Sequence, residues 1–284
     1  MSKIYDAIMG FVVGDALGVP FEFKTRDTFK CNDMVGFGTH AQPAGTWSDD
    51  SSLMLATIKS IIKCGGIDYD DMMKRFSKWH DKAKYTPYGE VFDCGNTVAA
   101  AIHRYNNGSP SLLWGDPREN ANGNGSLMRI LPLAFIDNIT DLEIKNVSAL
   151  THANDISLNA CVIYVRIAQE LLKNHNILWA IKKVAPYEKP FGKLTHLQNI
   201  FRDDIKSSGY VVDTLEAALW CVINNNYRDT VLTAVNLGED TDTIAAVAGG
   251  LAGIIYGAKD IPEEWIKKIP RLKWIKKMLN HLEP

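Results

Sequence analysis

The sequence is poor in several features that would assign a class at once. Its five cysteines (Cys31, Cys64, Cys94, Cys161 and Cys221) are scattered and odd in number, so they spell neither a disulfide framework nor a CxxC metal pair. A charge excess is missing too: 31 Lys and Arg against 33 Asp and Glu leave a formal charge of −2 over 284 residues. Nucleic-acid-binding proteins usually carry a basic excess, so no nucleic-acid partner is expected. Long hydrophobic runs are also lacking. The longest, Thr243 to Ala258, has 16 residues, is rich in glycine and follows a string of acids, whereas a membrane span needs about 18–20. Asp6 and Asp15 interrupt the apolar N-terminal stretch, which offers no compact secretory core and no small-residue cleavage site. Period-two strands, low-complexity linkers and repeats of fixed period are missing as well. The expectation is one mainly α, reduced, cytoplasmic domain over residues 1–284, with no membrane contact and a monomer favoured.

Helical periodicity is what the chain has in abundance. Ile4, Ala7, Ile8, Phe11, Val12 and Ala16 recur at three- and four-residue spacing and mark one helix face. Gly10, Gly14 and Gly18 form a neighbouring stripe. Each glycine costs a helix about 1 kcal/mol against alanine, so the stripe implies another backbone packed very close. Further helices are expected over 53–62 (capped by Asp50 or Ser51), 70–80, 98–105, 157–172, 211–222 and 229–236. Residues 243–256 are apolar nearly all round and should form a central buried helix, on which Gly249, Gly253 and Gly257 repeat the spacing. Lys267, Lys268, Arg271, Lys273, Lys276 and Lys277, interleaved with Trp265, Ile269, Leu272 and Leu279, read as one surface helix with a solvated basic face. The loops at 19–50, 84–97 and 106–130 are long enough to carry function.

The sharpest chemistry lies in two short strings, TWSDDSS and GEDTDT, each placed directly before an apolar helix. Asp, Ser and Thr are favoured N-caps, and acids suit the positive end of a helix. A cap needs one oxygen, however, and each string offers four or five. Carboxylates packed together repel one another unless a cation neutralises them. Hard divalent cations want about six oxygens, and no clustered histidine or cysteine supplies the nitrogen or sulfur that zinc prefers. If the two strings converge they form a two-metal site for Mg²⁺ or Mn²⁺; if they do not, they are caps.

Six segments, in order, make the sequence resemble the ADP-ribosylglycohydrolases over nearly its whole length. They are GFVVGDALGVPFEF at 10–23, GTWSDDSSLMLA at 45–56, DCGNT at 93–97, GNGSLMRILPLAF at 123–135, THAND at 151–155 and NLGEDTDTIAAVAGGLAGIIYG at 236–257. The resemblance implies an all-α, single-domain orthogonal helical bundle with a dinuclear Mg²⁺ or Mn²⁺ centre in a cleft. It also implies hydrolysis of an ADP-ribose linkage at the anomeric carbon of the distal ribose, on a modified protein or a small ADP-ribose conjugate. The metal ligands carry over to Ser48, Asp49, Asp50, Asp240, Asp242 and Thr243. Glu239 stands where many relatives have glycine.

The remaining assignments lean on the same likeness. Glu22 matches a loop glutamate near the scissile bond and is assigned proton transfer, with Asp50 beside it at the metals. Gly123, Asn124, Gly125 and Ser126 would offer consecutive backbone N–H groups to a pyrophosphate. His152 is placed at the ribose or phosphate, and Asp93 near the leaving group. Asp15 is expected to brace loops by hydrogen bonds. Arginine is the expected linkage; the alternatives are serine-ADP-ribose, O-acetyl-ADP-ribose, a base adduct, or a silent binding protein on the same scaffold.

Overall fold

The computed structural model describes residues 2–186, 188–223 and 226–282. Twelve α-helices occupy them: α1 (Lys3–Gly18), α2 (Asp49–Cys64), α3 (Tyr69–Lys82), α4 (Asn96–Asn106), α5 (Asp141–Ala149), α6 (Asp155–Asn174), α7 (Ile177–Val184), α8 (Val211–Val222), α9 (Tyr227–Val235), α10 (Thr241–Tyr256), α11 (Glu263–Lys268) and α12 (Leu272–Leu279). Short 3₁₀ turns, such as Val19–Phe21 and Asn124–Arg129, fill the connections. Among the described residues there is no β-sheet; the extended contacts are two isolated bridges, Asp116 with His152 and Gly123 with Tyr210.

The glycine stripe finds its second backbone in α10. A Cβ on Gly10 would collide with the Gly249 carbonyl, one on Gly14 with the Ala245 carbonyl, and one on Gly253 with the Asp6 carbonyl. As one residue number rises the other falls, so α1 and α10 pack antiparallel along their length. Tyr227 and Tyr164 cross-brace the pair, donating hydroxyl hydrogen bonds to Gly10 O (2.7 Å) and Val247 O (2.9 Å). Gly257 is not part of the stripe. Its φ of +80° ends α10, with its N–H returned to Gly253 O. The stretch Lys3–Phe21 is apolar enough by length and composition to cross a membrane, yet its apolar 18-residue window is buried inside the fold, as a core helix is.

Several boundaries differ from the periodicity. Ser48, rather than Asp50 or Ser51, caps α2, and α10 begins at Thr241, because polar residues in a first turn continue the helix while hiding it from an apolar pattern. Helices α5 and α7 gave no strong stripe. The Thr140–Glu143 capping box nonetheless fixes the start of α5. The basic C-terminal segment is two helices, not one. Pro270 and the left-handed Arg271 (φ +52°) separate α11 from α12, while Trp265, Ile269 and Leu279 are buried and the six basic residues stay exposed.

Because α1 and α10 are antiparallel, the C-terminus of α1 meets the N-terminus of α10. A Cβ at Gly18 would strike the Asp242 Cα, and the Thr241 hydroxyl donates to Gly18 O at 2.8 Å. The second acidic string is thereby delivered beside the loop that follows α1.

Candidate active site

The start of α2 is capped without its acids. The Ser48 hydroxyl accepts the Asp50 N–H at 3.2 Å. From α1, Asp15 Oδ1 accepts the Ser48 N–H at 2.9 Å, and Oδ2 accepts the Ser51 N–H at 3.0 Å and its hydroxyl at 2.6 Å. Asp15 therefore braces the turn, as its sequence setting implied. Ser48 and Asp15 supply these caps, and the carboxylates of Asp49 and Asp50 are left over for something else.

The approach to α10 is pinned to the loop after α1. Phe23 N–H donates to Glu239 O (2.7 Å) and Glu239 N–H to Lys24 O (2.8 Å). The Arg26 guanidinium ties this pair down, donating to the carbonyls of Leu237 (2.7 Å), Arg202 (2.9 Å) and Ile205 (2.5 Å). Gly238, at φ +79°, is needed because a Cβ there would lie 2.6 Å from the Arg26 nitrogen. Glu239 itself takes φ +60°, a region that glycine enters without penalty, and its side chain is exposed. A glycine would take this turn without strain.

The two strings converge. Oxygens of Asp15, Asp50 and Asp242 lie within 4.8 Å of one another, as do those of Glu22, Asp240 and Asp242. The Thr243 hydroxyl donates to Asp50 Oδ1 at 3.4 Å, joining the α10 and α2 N-termini directly. Glu22, Asp49, Asp50, Asp93, Asp240 and Thr243 line one cleft of about 450 Å³ together with Gly123, Asn124, Gly125 and His152. Ser48 and Asp242 are buried next to these residues without lining the cleft.

Within the 123–126 loop the Asn124 N–H and the Ser126 hydroxyl are both committed inside the protein, the first against the expectation of consecutive free N–H groups. Asn124 does not offer its N–H to an anion, since that group donates to Gly209 O at 3.0 Å. Its side-chain amide donates to Asp240 Oδ2 (2.8 Å) and Thr214 Oγ1 (2.9 Å), so Asn124 orients Asp240. The Ser126 hydroxyl faces the core rather than the cleft: it is fully buried and accepts hydrogen bonds from Ser148 (2.9 Å) and Cys161 (3.4 Å).

Sequence reasoning missed His40. Its Nε2 makes a short hydrogen bond with Glu22 Oε2, and its ring packs 5.1 Å from Phe92 and 5.9 Å from Phe23, centroid to centroid. Glu22, His40 and Asp93 form a third close group. Loop residues with no periodicity gave no signal for it.

Electrostatics confirm that the acids are crowded. Burial, then repulsion from neighbouring carboxylates, pushes Asp49, Asp50 and Asp242 well above the usual carboxylate range. Burial also raises Asp240, opposed by its hydrogen bonds from Thr243 and Asn124. Glu22 is lifted to about 7 by burial, with Asp93 and Asp240 adding to the rise and the His40 hydrogen bond opposing it. His152, by contrast, is depressed to about 3 by burial and by the Arg129 charge, so it is neutral. Among the described residues no lysine or arginine lines the cleft. Asp50 Oδ2 is buried with no hydrogen-bond partner, and an orphaned carboxylate oxygen in an uncompensated acidic group is what a divalent cation fits.

Comparison with known proteins agrees along the whole length. The ADP-ribosylglycohydrolase family model matches residues 1–283. An ADP-ribosylarginine hydrolase of Pseudomonas putida (strain GB-1) is 34% identical, over 99% of this chain and 78% of its own. The ADP-ribosyl-(dinitrogen reductase) glycohydrolase of Rhodospirillum rubrum is 31% identical, over 93% of this chain and 88% of its own. A solved structure described as an ADP-ribosylglycohydrolase-related protein complex superposes with a TM-score of 0.84 at 28% identity, covering 99% of this chain and 96% of that one. With the convergent acidic strings, Glu22 and the all-α scaffold in place, the chain belongs to the ADP-ribosylglycohydrolase family.

Proposed function

We propose that this glycohydrolase removes ADP-ribose from modified protein, cleaving the N-glycosidic bond to arginine, with two Mg²⁺ or Mn²⁺ ions held by Ser48, Asp49, Asp50, Asp240, Asp242 and Thr243. The observation that carries it is the meeting of two acidic helix starts, both surplus to capping, with Glu22 in one cleft. A guanidinium leaving group is cationic and is drawn to such a cleft, whereas a serine oxygen is not. The arginine-linked activity named for the Pseudomonas relative supports the same choice. Oxygen ligands at all six metal positions argue against a silent scaffold.

Cleavage at the anomeric carbon passes through an oxocarbenium-like state. Divalent cations bound among these acids would supply charge stabilisation and a more acidic water. The protein's own groups do the rest. Glu22, at about 7, is present in both protonation states near neutrality, which suits a group that gives a proton to the departing guanidine nitrogen or takes one from water. His40 holds the Glu22 carboxyl in place and Asn124 holds that of Asp240. Neutral His152 faces the same cleft without adding charge. Scattered cysteines and near-zero net charge suit action in the reducing cytoplasm.

The test is a panel of arginine-, serine- and O-acetyl-linked ADP-ribose substrates, with Mg²⁺ or Mn²⁺ and after exhaustive chelation. Release from arginine alone, lost on chelation, is expected. Release from serine in preference would reassign the linkage. Unchanged turnover after chelation would remove the metals from the reading.

A further inference from the structure

Arg129 is fully buried with no carboxylate partner among the described residues. Its guanidinium lies 4.8 Å from the Phe76 ring centroid and donates to Val147 O (3.1 Å), Ser148 O (3.4 Å) and Thr151 Oγ1 (2.8 Å). An unpaired cation in a core is costly, so its placement calls for a reason. Thr151 Oγ1, itself fully buried, has one other polar neighbour, His152 Nδ1 at 2.8 Å.

Donor and acceptor counting settles the direction of that contact. Arginine has donors only, so Thr151 Oγ1 accepts from it, and the hydroxyl keeps one proton to place. Nδ1 is the acceptor within reach. A proton already on Nδ1 would leave the threonine hydroxyl unsatisfied beside a guanidinium, at the penalty of a buried unpaired donor. A neutral imidazole with an accepting Nδ1 carries its proton on Nε2. Among the described residues that nitrogen has no hydrogen-bond partner, and it belongs to a residue lining the cleft.

Gly125 of the facing loop makes room for it. A Cβ at Gly125 would sit 2.8 Å from His152 Cε1, whereas one at Gly123 would make only ordinary contact, 3.6 Å from Nε2. The close approach that Gly125 permits is therefore that of the imidazole edge. We infer that Arg129, acting through Thr151, fixes His152 as the Nε2–H tautomer and makes it a hydrogen-bond donor to a ligand oxygen in the cleft. Burial beside a guanidinium keeps the ring from becoming an imidazolium, so the donor is neutral across the physiological range. The tautomer is a property of the ligand-free chain; that the oxygen belongs to a ribose or phosphate of ADP-ribose rests on the function proposed above.

Long-range ¹H–¹⁵N correlation on histidine-labelled protein reads the tautomer directly, with His152 assigned by the signal missing from His152→Gln. Wild-type protein is expected to show a protonated Nε2 and a bare Nδ1. Thr151→Val removes the hydroxyl, so Nδ1–H should become populated and ADP-ribose affinity, measured by calorimetry with Mg²⁺, should fall by roughly tenfold, about one hydrogen bond. Thr151→Ser restores the hydroxyl and should restore both readouts. A wild-type ring protonated on Nδ1 overturns the inference without any variant, and so does a Thr151→Val ring that keeps the wild-type tautomer. Failure of wild-type protein to bind ADP-ribose counts against the proposed function instead, and the ring spectrum still decides the tautomer.

Discussion

The role proposed for Glu22 rests on its burial more than on its identity. The same carboxyl on an open loop would titrate near 4; here burial, with Asp93 and Asp240 nearby, carries it to about 7. Glu22→Gln keeps the shape and the contact to His40 but has no proton to move. Its kcat should fall by about 10²–10⁴-fold, with ADP-ribose affinity little changed. A loss confined to KM would make Glu22 a binding residue. Glu239 behaves oppositely. It pays the left-handed strain of φ +60°, about 1–2 kcal/mol for an L-residue, while its side chain stands in solvent. Glu239→Gly should leave turnover intact and the melting temperature unchanged or higher; a large drop in either would give the side chain a duty the structure does not show. At this scale, legibility followed locality. The crowding of acids at two helix starts was readable because each acidic string is overfull within a few residues. His40 and Asn124 were not, because their partners are 18 and 116 residues away.

Two helix starts were read from sequence as either caps or ligands, and α2 separates the readings. Ser48 and Asp15 do the capping, so Asp50→Asn removes no cap and relieves a crowded, buried charge. In EDTA the variant should melt at or above the wild-type temperature. The stabilisation that wild type gains from added Mg²⁺ or Mn²⁺ by mass action should be lost. A drop of about 0.5–2 kcal/mol in EDTA, the usual worth of a cap, would falsify this division of labour. The α1–α10 seam makes a second demand. A methyl at Gly14 would meet the Ala245 backbone, which cannot step aside as a side chain can. Gly14→Ala should cost about 1–3 kcal/mol or more by overpacking, and should weaken metal binding because the start of α10 is displaced. Gly66→Ala, where nothing lies within 4 Å, is the neutral comparison in denaturant titration. Helices with a strong apolar stripe were legible to within a turn, and α8 to the residue. Short α5 and α7, and the break at Pro270–Arg271, were not, since a hydrophobic pattern does not register caps and left-handed turns.

Taken whole, the molecule stores like charge at its centre, and that sets its pH behaviour. Asp15 is held at about 6 and Glu22 at about 7, chiefly by burial. A group whose folded pKa lies above its unfolded value favours the fold when protonated, so that stability is full below the ordinary carboxylate range and is lost as pH climbs through about 6 and about 7. Asp116 works the other way. Its hydrogen bonds from Arg118 hold it near 2, so its contribution is present at neutrality and lost only in strong acid. Metal-free protein should therefore melt higher at about pH 5.5 than at about pH 8, and saturating Mg²⁺ or Mn²⁺ should flatten or reverse the trend. A metal-free melting temperature that rises with pH over that range would contradict the burial argument. The central pairing of α1 with α10 also has a consequence in time. Thr241 follows Gly18 by 223 residues, so the partner of α1 is made long after it. At a synthesis rate of about 5–20 residues per second, the nascent α1 waits roughly ten to forty-five seconds with its glycine seam uncovered. Half of the acidic centre does not exist until that wait ends. A pairing that must close so long a loop forms late, and the acidic centre is completed only after the chain through the start of α10 has been made.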